Sequence, residues 1–271
     1  MRSTSARASL QKLAAVALCL AGACAPQQRS VNLATTTSAR DAGLLDSLLP
    51  IFEKQSGYKV NVVAVGTGQA IAIARRGDAE VVLVHAPELE RALVDSGIFV
   101  RRRLVMHDDF LFVGPPGDPA KIRGGHDAVA ALGAIARARA PFVSRGDRSG
   151  THLFELKLWG LINQTPPAPG AWYIEAGQGM AATLQMADQR RAYTITDRPT
   201  FLVWKGKLEL EPLVEGDSLL LNIYHVMEVP NARPESRALA DFFVSREAQE
   251  FIGKFGKSRF GTALFVPGAL P

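Results

Sequence analysis

The residues best placed to do chemistry form one short run, Ser144-Arg145-Gly146-Asp147-Arg148-Ser149-Gly150-Thr151-His152. Leu153, Leu156 and Trp159 follow three apart, the spacing of one apolar helix face. The run therefore reads as a polar loop entering a helix. The first turn of a helix has N–H groups without intrahelical partners, and the macrodipole places partial positive charge there. Such an end binds anions even without a cationic side chain. Ser149 and Thr151 add hydroxyl donors, and Gly150 lets the backbone approach a ligand closely. Arg145 brings a full charge on a planar fork of donors, suited to gripping two oxygens of an oxyanion. Asp147, two residues on, can hold that guanidinium in place. The same residue types are also an ordinary helix cap, and both readings stand at this point. Arg145-Gly146-Asp147 spells a cell-adhesion tripeptide as well, but three residues recur by accident.

Two similar junctions precede this one. Val31-Asn32-Leu33-Ala34 is strand-like and runs into Thr35-Thr36-Thr37-Ser38. Ser38 with Asp41 has the spacing of a capping box, and Leu44, Leu45, Leu48, Leu49 and Phe52 follow at helical spacing up to Gly57. Val60 to Val65 is a second strand, closed by the loop Gly66-Thr67-Gly68-Gln69 and a short helix. Val81 to Val84 is a third, followed by His85-Ala86-Pro87. The candidate anion-binding residues are thus Thr37, Ser38, Thr67, Gly68, Arg145, Ser149, Gly150 and Thr151, with Asp147 behind them. If the junctions converge, they form a cage of mostly neutral donors. Such a cage avoids the desolvation cost of burying many cations.

Strands alternating with helices predict an α/β fold built from βαβ units, with mainly parallel sheets flanked by helices. In such sheets ligands bind beyond the carboxyl ends of the strands, where these loops sit. The stiff turn Gly114-Pro115-Pro116-Gly117-Asp118-Pro119 after the strand Phe110 to Val113 suggests a crossing between two lobes. Leu219 to Tyr224 suggests the return. The expected division is a first lobe of residues 31–113 plus 223–271 and a second of residues 114–222, with the ligand cleft between them.

Composition sets the outer bounds. Of the 271 residues 47% are hydrophobic and 21% charged, enough apolar material for a sizeable core. The net charge is +5, and Arg101-Arg102-Arg103 is the longest basic block, so nucleic-acid binding is not suggested. Residues 1–23 carry Arg2, Arg7 and Lys12 ahead of an apolar run, the form of a signal peptide. Ala21-Gly22-Ala23-Cys24 then resembles a bacterial lipoprotein site with Cys24 lipidated, ordinary cleavage nearby being the competing reading. Residues 24–30 read as a tether. Cys19 and Cys24 are the two cysteines, so the mature fold holds no internal disulfide.

Enzyme signatures are weak. There is no G-x-S-x-G, Walker A or H-E-x-x-H sequence, and the five histidines lack metal-ligand spacing. A phosphate-ester hydrolase using Ser149 or Thr151 would need a general base, for which His152 is the nearby candidate.

Taken together, these junctions resemble the substrate-binding proteins of tungstate ABC transporters. The resemblance runs from about Asn32 to the C-terminus. It rests on Thr35-Thr36-Thr37-Ser38, Val65-Gly66-Thr67-Gly68-Gln69-Ala70, Val84-His85-Ala86-Pro87 and Ser144 to His152. It continues through Trp172-Tyr173, Gly177-Gln178-Gly179-Met180 and Thr196-Asp197-Arg198. It implies a two-lobed periplasmic binding fold of type II, a tungstate or molybdate ligand without a cofactor, and delivery to a membrane permease by a monomer that is not an enzyme. Arg145-x-Asp147-x-Ser149-Gly150-Thr151 is similar to phosphate-binding proteins of the same fold too. The chain departs from the tungstate pattern at Asp108, where Asn is expected, and at Pro199, where Gly is expected.

Overall fold

The computed structural model describes residues 29–268. The signal-peptide reading, Cys24 and most of the tether lie outside the described residues. The first lobe opens with β1 (Ser30–Thr36), α1 (Thr37–Asp41), α2 (Leu44–Ser56), β2 (Lys59–Val65), α3 (Thr67–Arg75), β3 (Val81–Val84) and α4 (Pro87–Asp95). Strand β1 lies between β2 and β3 and is parallel to both. Successive side chains of a strand point to opposite faces, and the cores follow that alternation. Val31, Leu33, Val81 and Leu83 enter one core with Leu45, Leu48 and Phe52 of α2. Ala34, Val82 and Val84 enter another with Ala70, Ile71 and Ala74 of α3. Being buried on both faces, β3 is the unbroken apolar run Val81-Val82-Leu83-Val84.

The expected capping box at Ser38 and Asp41 does not form. Thr36 is the residue before the helix, Ser38 lies within its first turn, and the helix stops at Ala42. Gly43, with φ 79°, then redirects the chain into α2. A positive φ is inexpensive only for glycine.

Strand β4 (Val100–Gly114) is long enough to serve both lobes. After it come α5 (Ala128–Ala138), β5 (Phe142–Ser144), α6 (Gly150–Leu161), β6 (Tyr173–Glu175), α7 (Met180–Gln189), β7 (Thr194–Asp197), α8 (Arg198–Trp204) and β8 (Glu211–Val214). The chain returns through β9 (Leu221–Glu228) and ends with α9 (Pro234–Phe243), α10 (Arg246–Ile252), α11 (Lys257–Phe260) and β10 (Val266–Pro267). The order in the large sheet is β10-β4-β9-β3-β1-β2, and β7 and β8 pair with the far end of β4.

This sheet corrects the expectation of mainly parallel pairing. Among the described strands only β1 with β2, β1 with β3 and β5 with β6 pair parallel. The reason lies in β4 and β9. They run side by side in opposite directions, and each continues from one lobe into the other. Val105 and Met106 belong to the core under α2, whereas Phe110 and Phe112 pack with Trp159, Tyr173 and Tyr193. The cores therefore change over at residues 107–109, inside β4, and not in the turn at Gly114–Pro119. Opposite that point stand Leu221, Asn222 and Ile223 of β9.

Candidate functional site

The loop before α6 is built from the inside outward. Glu155 of α6 is buried and accepts from Ser144 Oγ at 2.6 Å, Tyr173 OH at 2.7 Å and Trp159 Nε1 at 3.1 Å. Burial pushes its carboxyl above the ordinary value, and those three donors work against that shift. Ser144 Oγ in turn accepts from Gly146 N at 3.2 Å. Gly146 has φ 62°, and a Cβ there would meet Glu175 Cβ at 2.7 Å, so glycine is required. Asp147 then holds two things. One carboxylate oxygen accepts from Arg145 Nη2, and the other accepts from Ser149 N at 3.0 Å. Ser149 caps α6 by accepting from His152 N at 3.3 Å. His152 Nδ1 is already engaged by Arg148 N at 2.9 Å. It braces the loop and is not poised as a base for Ser149 or Thr151.

The three junctions come together. A Cβ at Gly66 would stand 3.6 Å from the Asp147 carbonyl oxygen and 3.7 Å from Ser149 Cα. One at Gly179 would stand 3.8 Å from Thr37 Oγ1. Gly150 is tighter still: its Cβ would lie 2.5 Å from His85 Nδ1 and 2.8 Å from the His85 carbonyl oxygen. Lys157 on α6 also reaches Glu88 on α4 at 2.8 Å. The structure thus holds both sides of the cleft in contact.

Buried polar atoms in folded proteins nearly always have a partner, so exceptions carry information. Here they cluster. The hydroxyls of Thr36, Thr67 and Thr151, Nε of Arg145 and Nδ1 of His85 are buried without one. So are Oδ2 of Asp108 and of Asp197, Oγ1 of Thr200 and Oδ1 of Asn222. Nε of Arg103, beside Glu228 and Asp241, is a further such atom elsewhere, and Arg145, only 3% exposed, is the cation at the junctions. Burial pushes His85 down to about 4, so the ring is neutral at pH 7 and offers a dipole and no charge. A loose cavity of about 400 Å³ lies beside this cluster, between Pro87, Phe110, Leu153 and Phe154. Its walls are mostly apolar, and the three threonines and Arg145 do not line it.

The candidate residues fall as follows. Thr67, Arg145, Ser149, Gly150, Thr151 and Ser38 are buried at the meeting of the junctions. Thr37 is half-buried, and its neighbour Thr36 contributes the unpartnered hydroxyl. Gly68 is exposed at the rim, 3.7 Å by its Cβ position from the Arg148 carbonyl oxygen. Thr36, His85, Asp108, Asp197, Thr200 and Asn222 are additions that the residue-by-residue reading did not select. Asp197 had a local signal, since it ends β7 and caps α8, accepting from Thr200 N at 2.8 Å. Asp108 stood out only as a departure from the family pattern, and Asn222 had no signal. Among the described residues no group of His, Cys, Asp and Glu could hold a metal ion, and the arrangement suits an anion.

Known proteins match most of the chain. The family model described as "PBP superfamily domain" matches residues 23–247. The tungstate-binding protein TupA of Peptoclostridium acidaminophilum is 44% identical, over 89% of this chain and 86% of its own. The chain belongs to the TupA family, within the PBP superfamily. The crystal structure of the tungstate ABC transporter from Geobacter sulfurreducens aligns with TM-score 0.74 at 44% identity, covering 83% of this chain and 98% of that one. TupA from Desulfovibrio alaskensis G20 aligns with TM-score 0.74 at 40% identity, over 89% and 100%. These TupA-family relatives are binding proteins of a transporter and not enzymes, which agrees with the engagement of His152.

Proposed function

We propose that this TupA-family chain is an exported solute-binding protein that closes its two lobes on tungstate and delivers it to an ABC permease. The observation that carries this reading is the set of buried, unpartnered donors. The hydroxyls of Thr36, Thr67 and Thr151 and Nε of Arg145 come from three helix starts on both sides of one cleft. Ser38, Ser149 and the backbone at Gly150 complete the cage, and Thr37 and Gly68 line its rim. Asp147 fixes Arg145 from behind. The names of the relatives support tungstate as the ion, with molybdate as the close analogue.

The lobes of this reading hinge where β4 and β9 change cores, so Phe110 to Val113 go with the second lobe and the expected break after residue 113 moves back to residues 107–109. Cys24 is the proposed lipid anchor that holds the mature, monomeric protein at the outer face of the inner membrane. Titration calorimetry of the mature chain with tungstate, molybdate, phosphate and sulfate tests the ligand. Tungstate should bind tightest. Tight phosphate binding without heat from tungstate would overturn the assignment.

A further inference from the structure

A cage for a fully deprotonated dianion should contain donors, yet two of the buried atoms without a partner are carboxylate oxygens. Asp108 and Asp197 are both buried, each with Oδ2 unpartnered. Their other oxygens differ. Asp197 Oδ1 accepts from Thr200 N at the start of α8, where the helix dipole favours negative charge. Asp108 Oδ1 accepts from a neutral amide, Asn222 Nδ2, at 2.9 Å, and the Tyr224 hydroxyl is a second neutral donor beside the carboxyl. That amide also reaches Tyr224 OH at 3.3 Å, and the Tyr224 ring packs at a tilt against His85, 4.7 Å between ring centres. His85 is the residue pressed against Gly150 at the start of α6. A chain of contacts thus links Asp108 to the anion-binding helix end.

The titratable and charged groups facing Asp108 can be named element by element. Asp109 is its neighbour on β4 and is paired with Arg198 at 3.5 Å. Asp197 comes from the end of β7, and Asn222 and Tyr224 come from β9. Neutral His85 lies beyond them, and Arg145 stands across the cleft with Asp147 as its partner. No cation pairs with Asp108 among the described residues. Burial, then the charge of Asp197, pushes its carboxyl well above the ordinary range. Desolvation and the neighbouring carboxylate both favour the protonated form of Asp108.

We propose that Asp108 meets the bound oxyanion as a neutral carboxylic acid, with Oδ2–H donating to a ligand oxygen, so that at alkaline pH the site takes up one proton with each tungstate. The balance is simple. The carboxylate gains one proton from solvent, and no other bond is made or broken. An oxyanion that brings its own proton, such as hydrogen phosphate, meets the same residue as a carboxylate acceptor. Asp108 is then a specificity-determining residue whose proton decides which class of oxyanion is satisfied. The inference rests on the tungstate reading above.

The test is affinity against pH, between about pH 6 and about pH 9, for the full mature chain and for Asp108→Asn. Asparagine keeps the shape and a permanent donor. Wild-type affinity for tungstate should fall about tenfold per pH unit on the alkaline side. Asp108→Asn should be flat and bind tungstate tighter than wild type at the top of the range, while losing phosphate affinity relative to tungstate. Calorimetry of the wild type near pH 9 in two buffers of different ionisation enthalpy needs no variant and should show uptake of about one proton. Zero uptake, or superimposable profiles for wild type and Asp108→Asn, overturns the role of Asp108 and leaves tungstate binding standing. Absence of tungstate binding in both proteins instead overturns the functional reading, and this inference with it.

Discussion

His85 on one side of the cleft and Gly150 on the other are packed so closely that no side chain fits between them. A Cβ at position 150 would come within 2.8 Å of the His85 carbonyl oxygen, a backbone atom that cannot swing aside. Gly150→Ala should therefore hinder closure without touching either core. Its affinity for tungstate should fall at least about tenfold, a loss of about 1.4 kcal/mol. The melting temperature of the ligand-free protein should stay near wild type. Small-angle scattering should show less compaction on adding tungstate than in the wild type. Normal affinity for Gly150→Ala would mean that the contact at His85 is not needed for binding.

Arg145 should outweigh any single hydroxyl. Hydrogen bonds to charged groups contribute about 1.5–3 kcal/mol against about 0.5–1.5 for neutral ones. Removing it also leaves the Asp147 carboxylate, now unpaired, beside the ligand. Tungstate affinity should rank wild type, Arg145→Lys, then Arg145→Ala. The last should lose more than Thr67→Ala, Ser38→Ala or Thr36→Ala. Calorimetric dissociation constants for the six proteins decide this, and a hydroxyl variant weaker than Arg145→Ala would reverse the ranking.

Glu155 gives a pH signature to the loop that carries Arg145. Its folded pKa is raised above the ordinary 4.5, so the folded chain holds a proton that the unfolded chain releases. Its contribution to stability is therefore lost as pH rises from about 4.5 through the folded value. Glu155→Gln removes this dependence. In urea unfolding, wild type should gain on the Gln variant as pH is lowered through the folded value toward the ordinary 4.5. A stability gap that does not move with pH would contradict the burial of Glu155 as an acid.

His85 should do the reverse. Its ordinary value is 6.5, and burial holds it near 4 in the fold. Between those values the unfolded chain binds a proton that the folded chain refuses, so stability is lost as pH falls through that window. The loss at the acid end is of the order of 3 kcal/mol. His85→Gln should flatten the acid limb of a melting-temperature profile, and an unchanged limb would place His85 in a wetter setting.

Much of the site was legible because its chemistry is local. Hydroxyls, glycines and arginines at the start of a helix announce themselves within nine residues, as Ser144 to His152 do. Thr36, whose hydroxyl is the buried one, was passed over for its neighbour Thr37 because strand ends cannot be placed to one residue from pattern. Asp108 showed only as a departure from the family pattern, and Asn222 was not legible at all. They meet only through the pairing of β4 with β9, and each sits in the middle of its sequence segment.

That pairing was itself hidden. The first half of β4 is Arg101-Arg102-Arg103, which reads as a solvated run. In the fold these side chains pair with Glu228, Glu90 and Asp241, so charged residues occupy a strand. Without them, only Phe110 to Val113 showed as strand, and the crossing was placed at the turn beyond.

The most direct test of the anion cage is a crystal structure of the mature chain grown with tungstate and phased on tungsten. One strong anomalous peak should lie between the two lobes, with tungstate oxygens at hydrogen-bond distance from the hydroxyls of Thr36, Thr67 and Thr151 and from Arg145 Nε. A peak in the apolar cavity beside Phe110 and Phe154, or anywhere away from those four side chains, would contradict the account.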